Sequence, residues 1–377
     1  MPRRPVRLVL AGAGHAHLSV LQKASLLRAA GVEPVLAAPG LFSYSGMATG
    51  VLSGALEPQR MRVDVAALAA RAGVTHFAAE VTGADRSNRR LHLSDGRMLA
   101  YDALSLNIGS RTLDPHGLAD LDAVWPVKPL ARLLDLRDRV QAHLRMQGQS
   151  PAVVVAGGGP TGFEVAAALA GLIERSGARP FVHLICRSTP TWAPPRALER
   201  TLEKLRRRGV EILMGEVVAR GSGHCRLADG RTLSCDALVL ATGLKAPQEI
   251  RDLGLPVSQE GRLEIAPTLQ SIADPTIFGA GDCAVIREAP RPPAGVFGVR
   301  AAPVLFDNLL SLGDGRAPRR YAPQKTWLSI LDLGDGTGLA FRGGAWSLGR
   351  GALALKRRID HGFVDRLRRA SGEVLQD

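Results

Sequence analysis

Cysteines, aromatic residues and long apolar runs are all scarce in this 377-residue chain. Its four cysteines, Cys186, Cys225, Cys235 and Cys283, are too few and too scattered for a disulfide scaffold. No CxxC occurs, which leaves a zinc ribbon and a CxxC dithiol unsupported. The aromatic residues, nine Phe, four Trp and three Tyr, argue against stacking platforms for single-stranded nucleic acid. No apolar stretch reads as the roughly 18–20 residues of a membrane span. The basic start Met1-Pro2-Arg3-Arg4 before an apolar run resembles a signal peptide, but the run is short and ends in a Gly-rich turn. It reads better as a first strand, so the expected location is cytoplasmic, with peripheral attachment to the inner face of the membrane as the further option.

What the chain has in surplus is positive charge. Lys and Arg number 48 against 35 Asp and Glu, a formal charge of +13. Such a surplus points to an anionic partner: nucleic acid, an acidic membrane surface or a phosphate-bearing cofactor. The length suits two or three domains.

An internal repeat organises the sequence. Val6 to Ala11 is a short apolar strand, followed by the turn Gly12-Ala13-Gly14-His15-Ala16-His17, a helix from Leu18 to about Ala30 and a strand from Pro34 to Ala37. The plan returns 145 residues later with Ala152 to Ala156, the turn Gly157-Gly158-Gly159-Pro160-Thr161-Gly162, a helix from Phe163 and a strand ending at Cys186. A second element repeats at an offset of 134. LSDGRMLAYDALSLNIG, Leu93 to Gly109, matches LADGRTLSCDALVLATG, Leu227 to Gly243, at ten of seventeen positions. Each copy carries an Asp-Gly hairpin signal and then an apolar strand. Two nucleotide-binding units follow from this duplication.

In a GxGxxG turn the first Gly permits the bend, the second lets backbone approach a pyrophosphate, and the third lets the helix pack closely. Amides at the helix start then hold the phosphates. Gly157, Gly159 and Gly162 complete the pattern in the second unit, whereas His17 replaces the third Gly of the first. The ribose-clamp position falls at Ala38 and Pro39 in the first unit, which lacks the carboxylate; Glu33 reads as preceding the strand. In the second unit it falls at Arg187, which could pair with the 2′-phosphate of NADPH or be one more surface arginine.

These elements, with PTIFGAGDCA near residue 280, occur in the same order in the two-dinucleotide-binding flavoproteins of the pyridine nucleotide–disulfide oxidoreductase superfamily. VVVAGGGPTGFEVAAAL resembles the nucleotide motif of type II NADH:quinone dehydrogenases. GAGHAHLSVL, FSYSGMATG, YDALSLNIGS, VWPVKP, AGVFGVRAAPVL and LKRRIDHGFVDRL are similar to the flavoprotein often fused to selenide, water dikinase. Thr49 and Asn107 stand where its relatives often carry Pro and Asp; neither is assigned to a site.

The resemblance implies an α/β fold of two Rossmann-like domains, FAD on the first unit and NADH or NADPH on the second. The expected division is an FAD domain over 1–112 and 246–316, a nicotinamide domain over 113–245, and a small α+β region over 317–377. The resemblance places Gly281 and Asp282 on the flavin's ribityl or pyrophosphate region, and Gly109 and Gly243 at the strand ends of the two sites. It places Ser45, Gly46 and Met47 on one flavin face and Val81 at adenine, with Gly295, Val296 and Phe297 over the ring. Glu164 would sit in the first helical turn and relay a proton or hold the carboxamide, and Lys128 would stabilise reduced flavin. Both also have plain structural readings. His15 would contact phosphate, His17 would pack the helix start, and Cys283 reads as structural.

The first 150 residues contain no cysteine, so the redox-active pair of disulfide-reducing relatives is excluded. The function implied is an FAD-dependent NAD(P)H oxidoreductase with a quinone-like acceptor. The alternative is a non-catalytic flavin-binding redox sensor or interaction protein, linked to selenium metabolism by association alone. Leu355, Ile359, Phe363 and Leu367 define the apolar stripe of a basic helix, Leu353 to Arg369, that either lies on an anionic membrane or docks on the core. Nucleic acid becomes a minor suspect, and the oligomeric state stays open.

Overall fold

The computed structural model describes residues 4–373, so the basic start Met1–Arg3 lies outside the described residues. Each nucleotide-binding unit is built on five parallel strands in one spatial arrangement. In the first, Val6–Ala11 is central, with Val32–Ala37 and Thr75–Phe77 on one side and Ala103–Leu106 and Ile277–Gly279 on the other. In the second, Val153–Ala156 is central, flanked by Val182–Cys186 and Val210–Met214, and opposite them by Ala237–Leu240 and Val124–Pro126. Strands such as Val153–Ala156 are buried at every position, which is why they read as unbroken apolar runs.

The repeated segment folds identically in both halves. Val81–Asp85, Arg90–Leu93 and Met98–Ala100 form one antiparallel sheet; Val217–Gly221, His224–Leu227 and Thr232–Ser234 form the other. Each sheet is then tied to its central strand by one aspartate. Asp102 N–H donates to the Arg7 carbonyl, and its carboxylate accepts from the Arg7 N–H, both at 2.9 Å. Asp236 repeats this with Ala152 at 2.7 and 2.8 Å. Where the chain leaves the first half and where it returns, Arg111–Thr112 and Leu244–Lys245 pair as an antiparallel ribbon.

Several sequence expectations need correction. The first helix is two, His15–Leu21 and Ala24–Ala29. Glu33 lies inside its strand, which begins at Val32. Residues 295–297 open a 20-residue helix, Gly295–Asp314, which has the length and composition of a membrane span. Here it packs on the helix His15–Leu21, with Leu305 and Leu309 fully buried. The C-terminal helix runs Arg350–Ser371 beside the sheet Ser329–Asp332, Gly338–Arg342, Ala345–Gly349. Its buried face is Ala352, Leu353, Asp360, Val364 and Leu367, whereas Leu355 and Ile359 are 43% and 47% exposed. Lys356 and Asp360 interrupt the buried face as an ion pair, which rotates the docked surface away from the simple apolar stripe.

Asp102 is held below the usual carboxylate range. Burial pushes it up, but the Arg7 amide and guanidinium and the Arg4 charge outweigh that. A lowered folded-state pKa gives stability that is present above the unfolded carboxylate pKa and lost as pH falls through the folded one. Asp102→Asn should therefore lower stability at neutral pH and flatten its decline in acid. Urea unfolding of both proteins across pH 3–7 checks this.

Candidate active site between the nucleotide-binding halves

Both glycine turns work by letting a strand end pass close by. A Cβ on Gly12 would lie 2.6 Å from the Asn107 carbonyl oxygen, and one on Gly157 only 2.1 Å from that of Ala241. In the second unit a Cβ on Gly162 would fall 1.8 Å from the Gly157 carbonyl oxygen. In the first, His17 occupies the equivalent position and makes the contact polar. Its Nδ1 bonds the Gly12 carbonyl at 2.6 Å and its Nε2 meets the Ser105 hydroxyl at 2.8 Å. A carbonyl can only accept, so Nδ1–H donates and Nε2 accepts from serine. Burial lowers the His17 pKa to about 4, which keeps that neutral tautomer.

Asn107 organises the first turn. Its Oδ1 accepts from the amides of Ala16 and His17 at 3.0 and 3.3 Å, and its Nδ2 donates to the Ala280 carbonyl at 2.7 Å. One side chain thus joins the helix start to the Gly281-Asp282 turn. There Ser110 donates to the Asp282 carboxylate at 3.0 Å, and Arg262 Nε donates to the Asp282 carbonyl at 3.0 Å. His15 lies beside Asp282 and Lys128, and burial lowers its pKa to about 4. Lys128 is also lowered by burial, against the pull of Asp282. Gly295 abuts the His15 ring, while Phe297 packs edge-on against Trp327 at 5.1 Å. Residues 295–297 are the start of the helix Gly295–Asp314.

These features fit two dinucleotides. Neither Gly14 nor Gly159, the residues before the two helices, carries a side-chain cap. Asn107 takes the Ala16 and His17 amides of the first helix, whereas the helix-start backbone of the second is left to an anion. A Cβ on Gly159 would meet no atom within 4 Å, and one on Gly14 would strike the Asn107 side chain. Trp192, unassigned from sequence, donates to the Gly158 carbonyl at 3.0 Å and stands edge-on to Phe163.

Ala38 and Pro39 follow the second strand of the first unit, with the Ala38 carbonyl held by His76 Nε2 at 2.8 Å. Val81 opens its hairpin sheet. Gly109 and Gly243, equivalent in the repeat, both take positive φ. Pro160 and Thr161 open the second helix, and Arg187 is exposed just past Cys186.

The two halves and the C-terminal region meet at a half-buried polar group. Glu164 lies in the second helical turn, not the first, and is half-buried rather than set at an exposed helix end. Its Oε1 accepts from the Thr49 hydroxyl at 3.0 Å and from the Asp332 amide at 2.8 Å. Lys356 Nζ donates to the Gly46 carbonyl at 2.6 Å and to Asp360 at 2.9 Å, and the Tyr44 hydroxyl donates to Asp360 at 3.0 Å. Burial pushes the Glu164 carboxyl up, against the Lys356 charge. Burial alone would lower Lys356; Glu164 and Asp360 reverse it. Ser45, Gly46 and Met47 form the short turn that carries this contact, and Tyr44, His15 and Phe363 cluster with centroids 4.9–5.6 Å apart. Thr49 and Asn107, both unassigned from sequence, therefore belong to the site. Cys283 is buried against the Leu106 and Ala280 carbonyls, and burial pushes its thiol up to about 11, consistent with a structural part.

Two Rossmann-type units, one inserted into the other and facing it across a half-buried acid–base group, define a two-dinucleotide flavoprotein oxidoreductase. The chain belongs to the pyridine nucleotide-disulphide oxidoreductase family, whose match spans residues 6–300. It is 31% identical over 296 residues to NADH dehydrogenase-like protein Rv1812c of Mycobacterium tuberculosis, covering 70% of this chain and 69% of that one. It is 26% identical over 312 residues to demethylphylloquinone reductase NdbB of a Synechocystis strain, covering 77% and 76%. NDH2 of Plasmodium falciparum, solved with NADH, shares the fold at TM-score 0.83 and 15% identity, covering 98% of this chain and 97% of that one. The protein is an FAD-dependent NAD(P)H oxidoreductase.

Gly162→Ala drives its methyl into the Gly157 carbonyl. It should raise the KM for NADH and NADPH by about tenfold or more, roughly 1.4 kcal/mol, while FAD content is unchanged. Steady-state kinetics beside the flavin absorbance ratio tests this.

Proposed function

We propose that this oxidoreductase delivers electrons from NAD(P)H to a quinone-like small acceptor without a cysteine-pair relay. The observation carrying this reading is the half-buried Glu164–Lys356 group where both halves meet the C-terminal helix. Bound FAD supplies two-electron redox chemistry. Gly12, Gly14 and His15 would face its pyrophosphate, and Gly281 and Asp282 its ribityl region. Ala38, Pro39 and Val81 would meet the adenosine end; Ser45 to Met47, Lys128, Gly109 and residues 295–297 would surround the ring. Gly157, Gly159, Pro160, Thr161, Gly162 and Gly243 would hold the nicotinamide dinucleotide, with Arg187 at its 2′ position. The division at 112, 245 and 316 belongs to the same reading.

Quinone reduction takes up two protons as well as two electrons. Glu164 Oε1 already accepts two hydrogen bonds, so a proton on this carboxyl sits on Oε2. The raised pKa keeps it there to higher pH than an ordinary carboxyl. Lys356 Nζ, fixed by Gly46 and Asp360, supplies the balancing charge. NdbB, by its name a quinone reductase, supports this acceptor class. The likeness to the dikinase-fused flavoprotein makes selenium compounds the acceptor class to set against it.

Anaerobic NADH or NADPH should bleach the flavin, and a water-soluble quinone should restore its colour faster than a disulfide or selenite. Fast reoxidation by a disulfide or by selenite, with slow reoxidation by quinone, would overturn the proposal. Glu164→Gln should keep the bleaching step and lower quinone turnover by about 10²-fold. Wild-type turnover should fall as pH rises through the raised Glu164 pKa, and the variant should lose that limb. We also read the outer face of the C-terminal helix, with Leu355 and Ile359 exposed among Arg357 and Arg358, as docking on an anionic membrane. Leu355→Ser with Ile359→Ser should abolish sedimentation with phosphatidylglycerol vesicles and leave soluble-quinone turnover intact.

A further inference from the structure

Two of the four cysteines that look scattered in sequence are neighbours in space, within the inserted half. Cys225 lies on the strand His224–Leu227, opposite Leu233 of Thr232–Ser234. Cys235 follows two residues after Leu233, and its amide donates to the Gly223 carbonyl at 2.9 Å. The two cysteines are therefore diagonal partners on one face of an antiparallel pair. Both are fully buried in one apolar cluster with Leu227 and Leu238, and both are free thiols. Each thiol acts on the other: Cys235 pushes the Cys225 thiol down, and Cys225 pushes the Cys235 thiol up.

A polar cleft of about 210 Å³ lies beside them, lined by Arg139, His143, Arg220, Gly223 and Asp236. Pro151 and Ala237 also line it, and they sit at the starts of the inserted half's strands, the end opposite the glycine turn. Arg220 supports thiolate at both cysteines, and its Nε is buried without a partner. A guanidinium charge beside two neighbouring thiols favours the thiolate, the form that attacks peroxide.

We propose that Cys225 and Cys235 form a reversible peroxide-oxidised disulfide in the nicotinamide half, separate from the flavin reaction. The Cys225 thiolate attacks one peroxide oxygen, breaking the O–O bond and releasing water after protonation, and becomes a sulfenic acid. Cys235 sulfur then attacks that sulfur, its proton leaves with the hydroxyl as a second water, and the S–S bond closes. Overall two thiols lose two electrons and two protons, and hydrogen peroxide becomes two waters. Enclosure of the pair favours this small oxidant over a bulky disulfide. Diagonal Cα spacing is about 7–8 Å, beyond the usual 4.4–6.8 Å of a disulfide. Closure therefore draws the two strands together, and Asp236, next in sequence, links that movement to Ala152 at the start of the central strand.

The test treats the FAD-loaded protein with hydrogen peroxide, then counts thiols after denaturation and maps linked peptides. The expected result is loss of two of the four thiols, a Cys225–Cys235 crosslink, and full recovery with dithiothreitol. In Cys235→Ser the expected product is a dimedone-trapped sulfenic acid on Cys225. The proposal is overturned if peroxide leaves both thiols reduced, or if Cys186 or Cys283 oxidises before them. The wild-type crosslink decides the matter without any variant.

Discussion

Everything at this site depends on a strand-end carbonyl pressed against a glycine. Asn107 and Ala241 present that carbonyl at equivalent points of the repeat, and Gly12 and Gly157 are the residues that tolerate it. The contact fixes how far each glycine turn stands from its sheet, and so where a helix start points. In the inserted half a third glycine completes the close packing. In the first half the His17 ring does so by hydrogen bonds, which exchanges a steric requirement for a protonation requirement. The two halves thus share a geometry and differ in the chemistry that maintains it.

A second constraint governs the junction. Glu164, Asp332, Asp360 and Lys356 bring three carboxyl groups and one amine into a largely enclosed region. Buried charge is costly unless paired and hydrogen-bonded, and the pairing here draws on three separate parts of the chain. Thr49 comes from the first half, Glu164 from the inserted half, and Asp332 and Lys356 from the C-terminal region. The C-terminal helix is therefore anchored by polar contacts as well as by Ala352, Leu353, Val364 and Leu367, whereas Leu355 and Ile359 face outward.

Much of this was legible in the sequence because it is local or repeated. Glycine turns, Asp-Gly hairpins and apolar strands have short-range signatures, and duplication doubles each one. Glu164, Lys128, His15 and Asp282 were singled out, and the structure puts the last three together. The misses are long-range. Asn107 reads as an ordinary strand-end residue until its contact with Ala280, 173 positions away, is known. Lys356 reads as one more cation of a basic helix, since nothing local shows that it faces Gly46, 310 positions earlier. The apolar stripe of that helix was misjudged for the same reason. Periodicity shows that a helix has an apolar side, but a buried ion pair on the docked side shifts it by about a quarter turn.

The ribbon of Arg111–Thr112 and Leu244–Lys245 has a consequence for assembly order. All five strands of the inserted sheet lie between its two arms, so that half has every strand it needs once the chain reaches the second arm. The first half does not: its outermost strand, Ile277–Gly279, pairs with Ala103–Leu106 only after the whole insertion has been made. Local pairings form before distant ones, and during synthesis contiguous units close first. On the ribosome the inserted half is therefore the earlier body, and the first half waits, one edge unpaired, for a strand still to emerge.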